Sequence, residues 1–276
     1  MRLILALLLS TLALAQNRIV STAPSFTETL FALGAGPRVV AVSTHCHFPS
    51  SVSQLPRVGS YLKPNIEAIA RLSPDLVLVH SDQKNTLAQF AQLGIKTLAL
   101  KNTSLEETLA ATRSIGEAIG LQKAAAQLEA KIRSQLANIE KRSAGQAPRT
   151  LLFIVGRTPG RLEGLIAIGK GSFLNEIMRV AGARNVLDDS PVTYPRISLE
   201  AVMRLDPDLI VDMGDMAQTT GITPQHIASV VELWRAQSTL RAVSKNQVFA
   251  VAADIFVVPG PRIAEAAEAF SRMVHK

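Results

Sequence analysis

Cysteine is nearly missing from this chain: Cys46 stands alone among 276 residues. One thiol cannot close an intramolecular disulfide or build a cysteine-rich zinc module, so the fold must be held by packing. Aromatic residues are few as well, with nine Phe, two Tyr and one Trp. Charged residues make up 18% beside a hydrophobic share of 47%, a balance that excludes a disordered chain. Past the N-terminal leucines no apolar run reaches the roughly 20 residues a membrane helix needs. The length suits one large domain or two lobes, each with its own core.

Acidic residues are outnumbered 22 to 29, giving a formal charge of +7. Counted by region, the excess is not a nucleic-acid surface. Residues 16–120 hold 9 basic and 7 acidic side chains, residues 121–148 hold 5 and 2, and residues 149–276 hold 14 and 13. The densest excess falls on a helical stretch, where a solvated face accounts for it.

What is present begins with Met1 to Ala15. Arg2, the apolar run Leu3 to Leu9 continuing through Leu12, and the small residues Ala13 and Ala15 read as a secretory signal peptide cleaved before Gln16. No cysteine follows that site, so the expectation is a soluble protein of the bacterial periplasm; full secretion uses the same signal. Ser25-Phe26-Thr27-Glu28 reads as a capping box opening a helix that closes at Gly34, set between β-type runs at Arg18–Val20 and Arg38–Val42. Asn65 can cap a helix through Arg71, Pro74 breaks it, and Asp75–Val79 is a buried strand. A helix over Gln83–Leu93 and a strand over Ile95–Leu100 repeat the pattern. Ser104-Leu105-Glu106-Glu107 is a further capping box, followed by two helices. The second, Lys123–Arg142, carries one apolar stripe at Leu128, Ile132, Leu136 and Ile139. A buried strand at Thr150–Val155 starts a second α/β region. In it Ser172 and Ser198 cap helices, Asp208–Asp212 and Gln247–Val251 are strands, and Gln225–Ala236 and the end from about Arg262 are helical.

An internal repeat organises these elements. Glu67 to Val77 aligns with Glu200 to Ile210 at a constant spacing of 133 residues, and seven of the eleven pairs are identical. A shared Pro-Asp-Leu is ordinary punctuation in α/β proteins; the matching Glu at the start of each helix is not. The expected organisation is a signal peptide over 1–15, an N-terminal α/β lobe over 16–120, a connecting helix over 121–148 and a C-terminal α/β lobe over 149–276. The fold class is α/β, two Rossmann-like lobes with mainly parallel sheets joined by one long helix.

The repeat carries a resemblance that covers the whole mature chain. Pro24-Ser25-Phe26-Thr27-Glu28, Leu55-Pro56-Arg57-Val58-Gly59, the two Glu-bearing repeats, Gly169 to Asn175 and Pro261-Arg262-Ile263 occur in an order that resembles the periplasmic substrate-binding components of ABC importers. The similar class is the one whose lobes are joined by a helix and which carries cobalamin, haem and ferric siderophores. Pro49 after an aromatic and Asp189 to Pro195 look most like the cobalamin-binding members. The resemblance implies a ligand cleft between the lobes, little lobe movement, a monomer, and a corrinoid, cobalamin or cobinamide, as cargo with no resident cofactor. It also implies an inner-membrane permease dimer as partner, docked by Glu67 and Glu200; a two-fold partner shows the same basic cluster twice, so one acidic point per lobe answers both.

A corrinoid is broad, flat and mostly apolar with amide arms, so its site needs aromatic faces and a few polar groups. Tyr61 and Tyr194 stand on the matching loops, and each can pack its ring while its hydroxyl reaches an amide. Asp254 matches an acidic position of the family; Val258 stands where some cobalamin-binding members have a basic residue. His45 and His47 depart from the pattern, replacing a usual tyrosine and a frequent aspartate. With His80 they could form a metal site, they could be hydrogen-bonding loop residues, or His45 could touch an axial face of a corrinoid. Cys46 reads as a small buried side chain, not a nucleophile. Gly164 to Gly171 nearly matches a phosphate-binding loop, but Gly171 takes the Ser/Thr position that would hold magnesium, and Gly169–Ser172 reads as a turn that brings backbone N–H groups toward the ligand. No Gly-x-Ser-x-Gly or His-Glu-x-x-His motif occurs. The expectation is a carrier and not an enzyme. A haem or ferric-siderophore carrier on the same fold is the alternative, and a metal-dependent enzyme or sensor is the less favoured one.

Overall fold

The computed structural model describes residues 17–214 and 223–276. The expected signal peptide and its cleavage site lie outside the described residues. Among the described residues no helix is long and apolar enough to cross a membrane. The chain divides into two compact units, the first from residues up to Leu100 together with Arg113–Ala126, the second from Lys101–Thr112 together with Gln127–Lys276. Residues 101–112, which the sequence assigns to the first lobe, therefore pack with the second. Leu109 is the physical reason, because it is fully buried in the second unit's core.

In the first unit, strands β1 (Ile19–Ser21), β2 (Val39–Val42), β3 (Leu76–His80) and β4 (Thr97–Leu100) form a parallel sheet in the order β2-β1-β3-β4. Helices α1 (Pro24–Ala32), α2 (Ile66–Arg71) and α3 (Lys84–Gln92) make the connections between strands, as parallel pairing requires. The capping box expected at Ser25 does not form. Pro24 occupies the first helical turn after Ala23, whose side chain caps nothing; its fixed φ suits that position, so the helix starts two residues early and Ser25 is buried inside it. The helix does stop where expected. Gly34 N–H donates to Phe31 O and Ala35 N–H to Leu30 O, the paired bonds of a Schellman ending.

In the second unit, β5 (Arg149–Gly156) is the central strand. β7 (Ala183–Asn185) and β9 (Leu209–Asp212) pair with it in parallel, both reaching Leu151, and β10 (Val248–Ala250) adds to β9. The parallel order β7-β5-β9-β10 repeats that of the first sheet. β6 (Leu165–Ala167) and β8 (Arg196–Ile197) extend the other end of β5 as antiparallel strands, which the first sheet lacks.

Helices α4 (Leu105–Ala118), α5 (Gln122–Ser143), α6 (Phe173–Val180), α7 (Leu199–Leu205), α8 (Pro224–Arg235), α9 (Arg241–Ser244) and α10 (Ile263–Val274) complete the described chain. Alternate residues of β5 and β9 go to opposite faces of their sheet, as a pleated strand dictates. Leu151, Phe153, Val155, Leu209 and Val211 pack with α5, α6 and α10. Leu152, Ile154 and Ile210 pack with α7 to α9. Burial on both faces explains why Leu151 to Val155 is an unbroken apolar run. The predicted stripe of α5 lands here: Ile132, Leu136 and Ile139 are buried in the second unit's core, with Leu128 against it.

The sequence repeat is a structural repeat. Asn65 and Ser198 both cap through the side chain, accepting from Ala68 N–H and Ala201 N–H. Ser73 and Asp206 share a left-handed backbone, at φ 44° and 39°. Asp75 accepts from Asn17 N–H at 2.9 Å and Asp208 from Thr150 N–H at 2.9 Å; all three pairs keep the 133-residue spacing.

One buried charge pair belongs to the second unit alone. Asp212, fully buried at the end of β9, accepts from Arg157 Nε at 2.9 Å, Trp234 Nε1 at 2.8 Å and Gly214 N–H at 2.6 Å. Removing one partner of such a pair leaves an uncompensated buried charge. Asp212→Ala should therefore lower the unfolding free energy by about 3–5 kcal/mol. Urea denaturation followed by the fluorescence of Trp234, the only tryptophan, measures it, and an unchanged midpoint would contradict it.

Candidate functional site

The loops that follow β2 and β3 hold most of the nominated residues of the first unit. After β2, Cys46 turns inward and is fully buried, with Sγ 3.1 Å from Thr27 Oγ1 of α1 and 3.2 Å from Ser43 Oγ. Burial pushes its thiol pKa up, against weaker lowering by the Ser43 and Thr27 hydrogen bonds, which agrees with a structural role and not a nucleophilic one. His45 and His47 flank it and are both exposed, as is Phe48. Arg57 shapes this loop from below, donating to Ser43 O at 3.1 Å, Cys46 O at 2.7 Å and Val52 O at 3.3 Å.

Tyr61 sits in a tight turn tied to the same loop. Gly59 O accepts from Thr44 N–H at 2.8 Å, and Gly59 pairs across the turn with Pro64. Gly59 has φ 87°, and a Cβ there would stand 2.5 Å from Lys63 O, so glycine is required to bring the turn back on itself. The exposed Tyr61 is thereby fixed beside the end of β3. There His80 is gripped by two aromatic rings: Phe26 lies at 4.7 Å between centroids and Tyr61 at 5.9 Å, nearly edge-on.

The structure thus brings together Tyr61 and His80, and adds Phe26, which sequence reasoning had placed only in a helix motif. His45 and His47 do not complete a metal site with His80, since no group of three or more His, Cys, Asp or Glu among the described residues could hold a metal ion. The two loop histidines are exposed on either side of a buried cysteine.

In the second unit, Tyr194 is exposed in the loop before β8. Gly169 N–H donates to Thr193 O at 2.8 Å and Ala167 N–H to Pro195 O at 2.9 Å. A Cβ on Gly169 would fall 2.1 Å from Val192 O. Gly169 is therefore a close-approach glycine that seats the Tyr194 loop, and its N–H is not offered to a ligand as the sequence suggested. Asp254 opens a 3₁₀ turn, Asp254–Phe256, after β10, and is half-buried. A separate cavity of about 300 Å³ is lined by Asn175, Arg179, Arg184, Asn185 and Asp188 among others, none of them nominated from sequence. Asn175, Arg179, Asn185 and Asp188 satisfy one another. Asn175 donates to Asp188 at 2.7 Å and Arg179 at 3.0 Å, which holds the Asp188 carboxyl below its usual range.

Glu67 and Glu200 are exposed and each is the second residue of its helix, α2 or α7. The Ser198 hydroxyl and the Glu200 backbone N–H lower the Glu200 pKa. A carboxylate there is also favoured by the helix dipole.

The periplasmic binding protein family model matches residues 19–255. YvrC of Bacillus subtilis, an uncharacterized ABC transporter substrate-binding lipoprotein, is 30% identical over 267 residues, covering 94% of this chain and 80% of that protein. The crystal structure of the periplasmic vitamin B12-binding protein BtuF of Vibrio cholerae is 26% identical with a TM-score of 0.79, covering 95% of this chain and 97% of its own. The haem-binding protein HutB of Vibrio cholerae shares the fold, with a TM-score of 0.80 at 22% identity over 94% of this chain and 99% of its own.

His80 gives the site a pH signature. Burial lowers its pKa, with Asp82 opposing. The unfolded chain takes up a proton here near pH 6.5, while the folded chain does so only at lower pH. Folding stability therefore falls as pH drops below that value toward the folded pKa. Thermal unfolding at about pH 7.5 and about pH 5 should show a smaller loss for His80→Phe than for the wild type, the other histidines being common to both. An equal loss would count against a buried neutral His80.

Proposed function

Since the chain belongs to the periplasmic binding protein family, the solute-binding components of ABC importers, we propose that its solute is a corrinoid, cobalamin or cobinamide, carried to an inner-membrane permease. The observation that carries this reading is the aromatic cluster of Phe26, His80 and Tyr61. Flat macrocycles bind against aromatic walls with a few polar tips, and Tyr61 supplies both. Tyr194 and Asp254 are the residues assigned to the ligand in the second unit; His45 and His47 are assigned to its polar arms. The likeness to the vitamin B12-binding protein of Vibrio cholerae supports the same cargo.

The charge of the first unit's loop favours a corrinoid over haem or an acidic iron chelate. Only Arg57 and Lys63 are cationic between residues 43 and 64, and Arg57 is committed to three backbone carbonyls. One lysine is a poor answer to a ligand carrying several carboxylates.

The carrier performs no covalent chemistry in this reading. It works as a monomer in the periplasm after signal-peptide cleavage, and Glu67 and Glu200 present one carboxylate from each unit to a two-fold permease.

Titration of the purified protein with cobalamin, haemin and a ferric siderophore should give corrinoid binding, weakened about tenfold or more, ~1.4 kcal/mol, by Tyr61→Ala. No cobalamin binding at micromolar concentration would overturn the reading. The double variant Glu67→Ala/Glu200→Ala should keep that affinity while cutting uptake in cells; undiminished uptake would remove the docking role.

A further inference from the structure

Phe26 and Tyr61 contact the ring of His80, and no protein group among the described residues hydrogen-bonds its nitrogens. We propose that His80 also donates an imidazole nitrogen to the central metal of the bound macrocycle, replacing a labile axial ligand. This inference rests on the reading of the site as one for a flat, metal-centred ligand.

Position favours it first. His80 is the last residue of β3, and open parallel α/β sheets bind ligands outside the carboxyl ends of their strands. Orientation comes next. Phe26, itself buried in α1, and Tyr61, held by the Gly59 turn, restrict the ring from two sides. His45 and His47 have no such support: both are exposed and neither makes a ring contact among the described residues. A donor whose geometry is fixed before the ligand arrives loses less freedom on binding.

Availability is the third point. An interior histidine ordinarily hydrogen-bonds through one nitrogen, which fixes its tautomer. Among the described residues, no protein group hydrogen-bonds either ring nitrogen of His80, and neither is a buried orphan. Burial also holds the ring toward its neutral form, the form that carries a free lone pair for a metal.

The absence of companion ligands sharpens the class of metal. One imidazole cannot capture a free ion, and no set of three donors exists among the described residues. A metal already held in plane by a tetrapyrrole or corrin needs only one more donor, and imidazole is a suitable axial ligand for such centres. The step is a substitution: the metal–oxygen bond to axial water breaks, a metal–nitrogen bond forms from the lone pair of neutral His80, and water leaves. No proton is transferred and the oxidation state of the metal is unchanged.

The test is the absorption spectrum of aquocobalamin, whose axial water exchanges, against cyanocobalamin, whose cyanide does not. On mixing with the mature protein, aquocobalamin should shift as nitrogen replaces oxygen, and cyanocobalamin should bind without a shift. His80→Phe keeps a ring beside Phe26 and Tyr61 and should still bind aquocobalamin, without the shift and at least tenfold more weakly. Far-UV circular dichroism confirms that the variants are folded, and His80→Gln serves if the phenylalanine variant is not. Corrinoid binding with no shift in the wild type, or a shift that survives in the folded His80 variants, overturns the metal contact and leaves the corrinoid reading standing. If the wild type binds no corrinoid, that reading falls and haemin decides the rest. A haemin spectrum typical of imidazole ligation that is lost in the His80 variants supports the contact; its persistence there, or no haemin binding, overturns it.

Discussion

A single carboxylate in each unit holds the start of the central strand. Asp75 accepts from the N–H groups of Asn17 and Arg18, both at 2.9 Å, across 58 and 57 residues of chain. Asp208 does the same for Thr150, through both N–H and hydroxyl, across 58. Each aspartate immediately precedes the second strand of its parallel pair, β3 or β9, so the bond sets where the two strands begin relative to one another. Once the starts are aligned, the strand lengths decide where the carboxyl ends lie, and with them where the loops bearing functional side chains emerge. An acceptor that binds two donors at once is worth more than either bond alone, because charge-assisted hydrogen bonds are the stronger kind. Burial alone would raise the Asp208 pKa, but the Thr150 N–H and hydroxyl, with Arg241 and Arg149, together bring it below the ordinary carboxylate value.

Features decided within a few residues were legible in the sequence. The caps at Asn65, Ser172 and Ser198 form as expected, and Ser104 accepts from Glu107 N–H. Each needs only one side chain and a backbone amide two or three residues on. The Ser25 box failed on an equally local competitor, the proline in front of it. Residues 101–112 group with the second unit for a different reason. Their partners are distant: Thr103 O accepts from Phe173 N–H and Leu105 N–H donates to Glu176. Nothing in the local pattern of 101–112 announces such contacts.

The site was half legible for the same reason. Tyr61 and His80 stood out by type, and the structure puts them against one another. Phe26 did not stand out, because an apolar residue on a helix looks like ordinary core until the ring above it is known. Arg57 also escaped notice. It lies inside a motif quoted for family likeness, yet its work is to gather three carbonyls of a loop that precedes it. Arginine engaged with backbone has no signature in sequence; three converging carbonyls become visible only in three dimensions.

The antiparallel strands β6 and β8 exist in one sheet only, added to a parallel set that both units share. Tyr194 sits on the approach to β8, at the outer end of that addition. Mutation can lengthen, shorten or rewrite this edge without touching the duplicated four-strand arrangement, because neither β6 nor β8 pairs with β9 or β10. The contact of Phe26 with His80, by contrast, is built into α1 and β3 of the shared arrangement. Divergence of cargo among descendants of this chain is therefore expected to accumulate on the second unit's edge first, while the histidine wall stays under the tighter selection that acts on the scaffold itself.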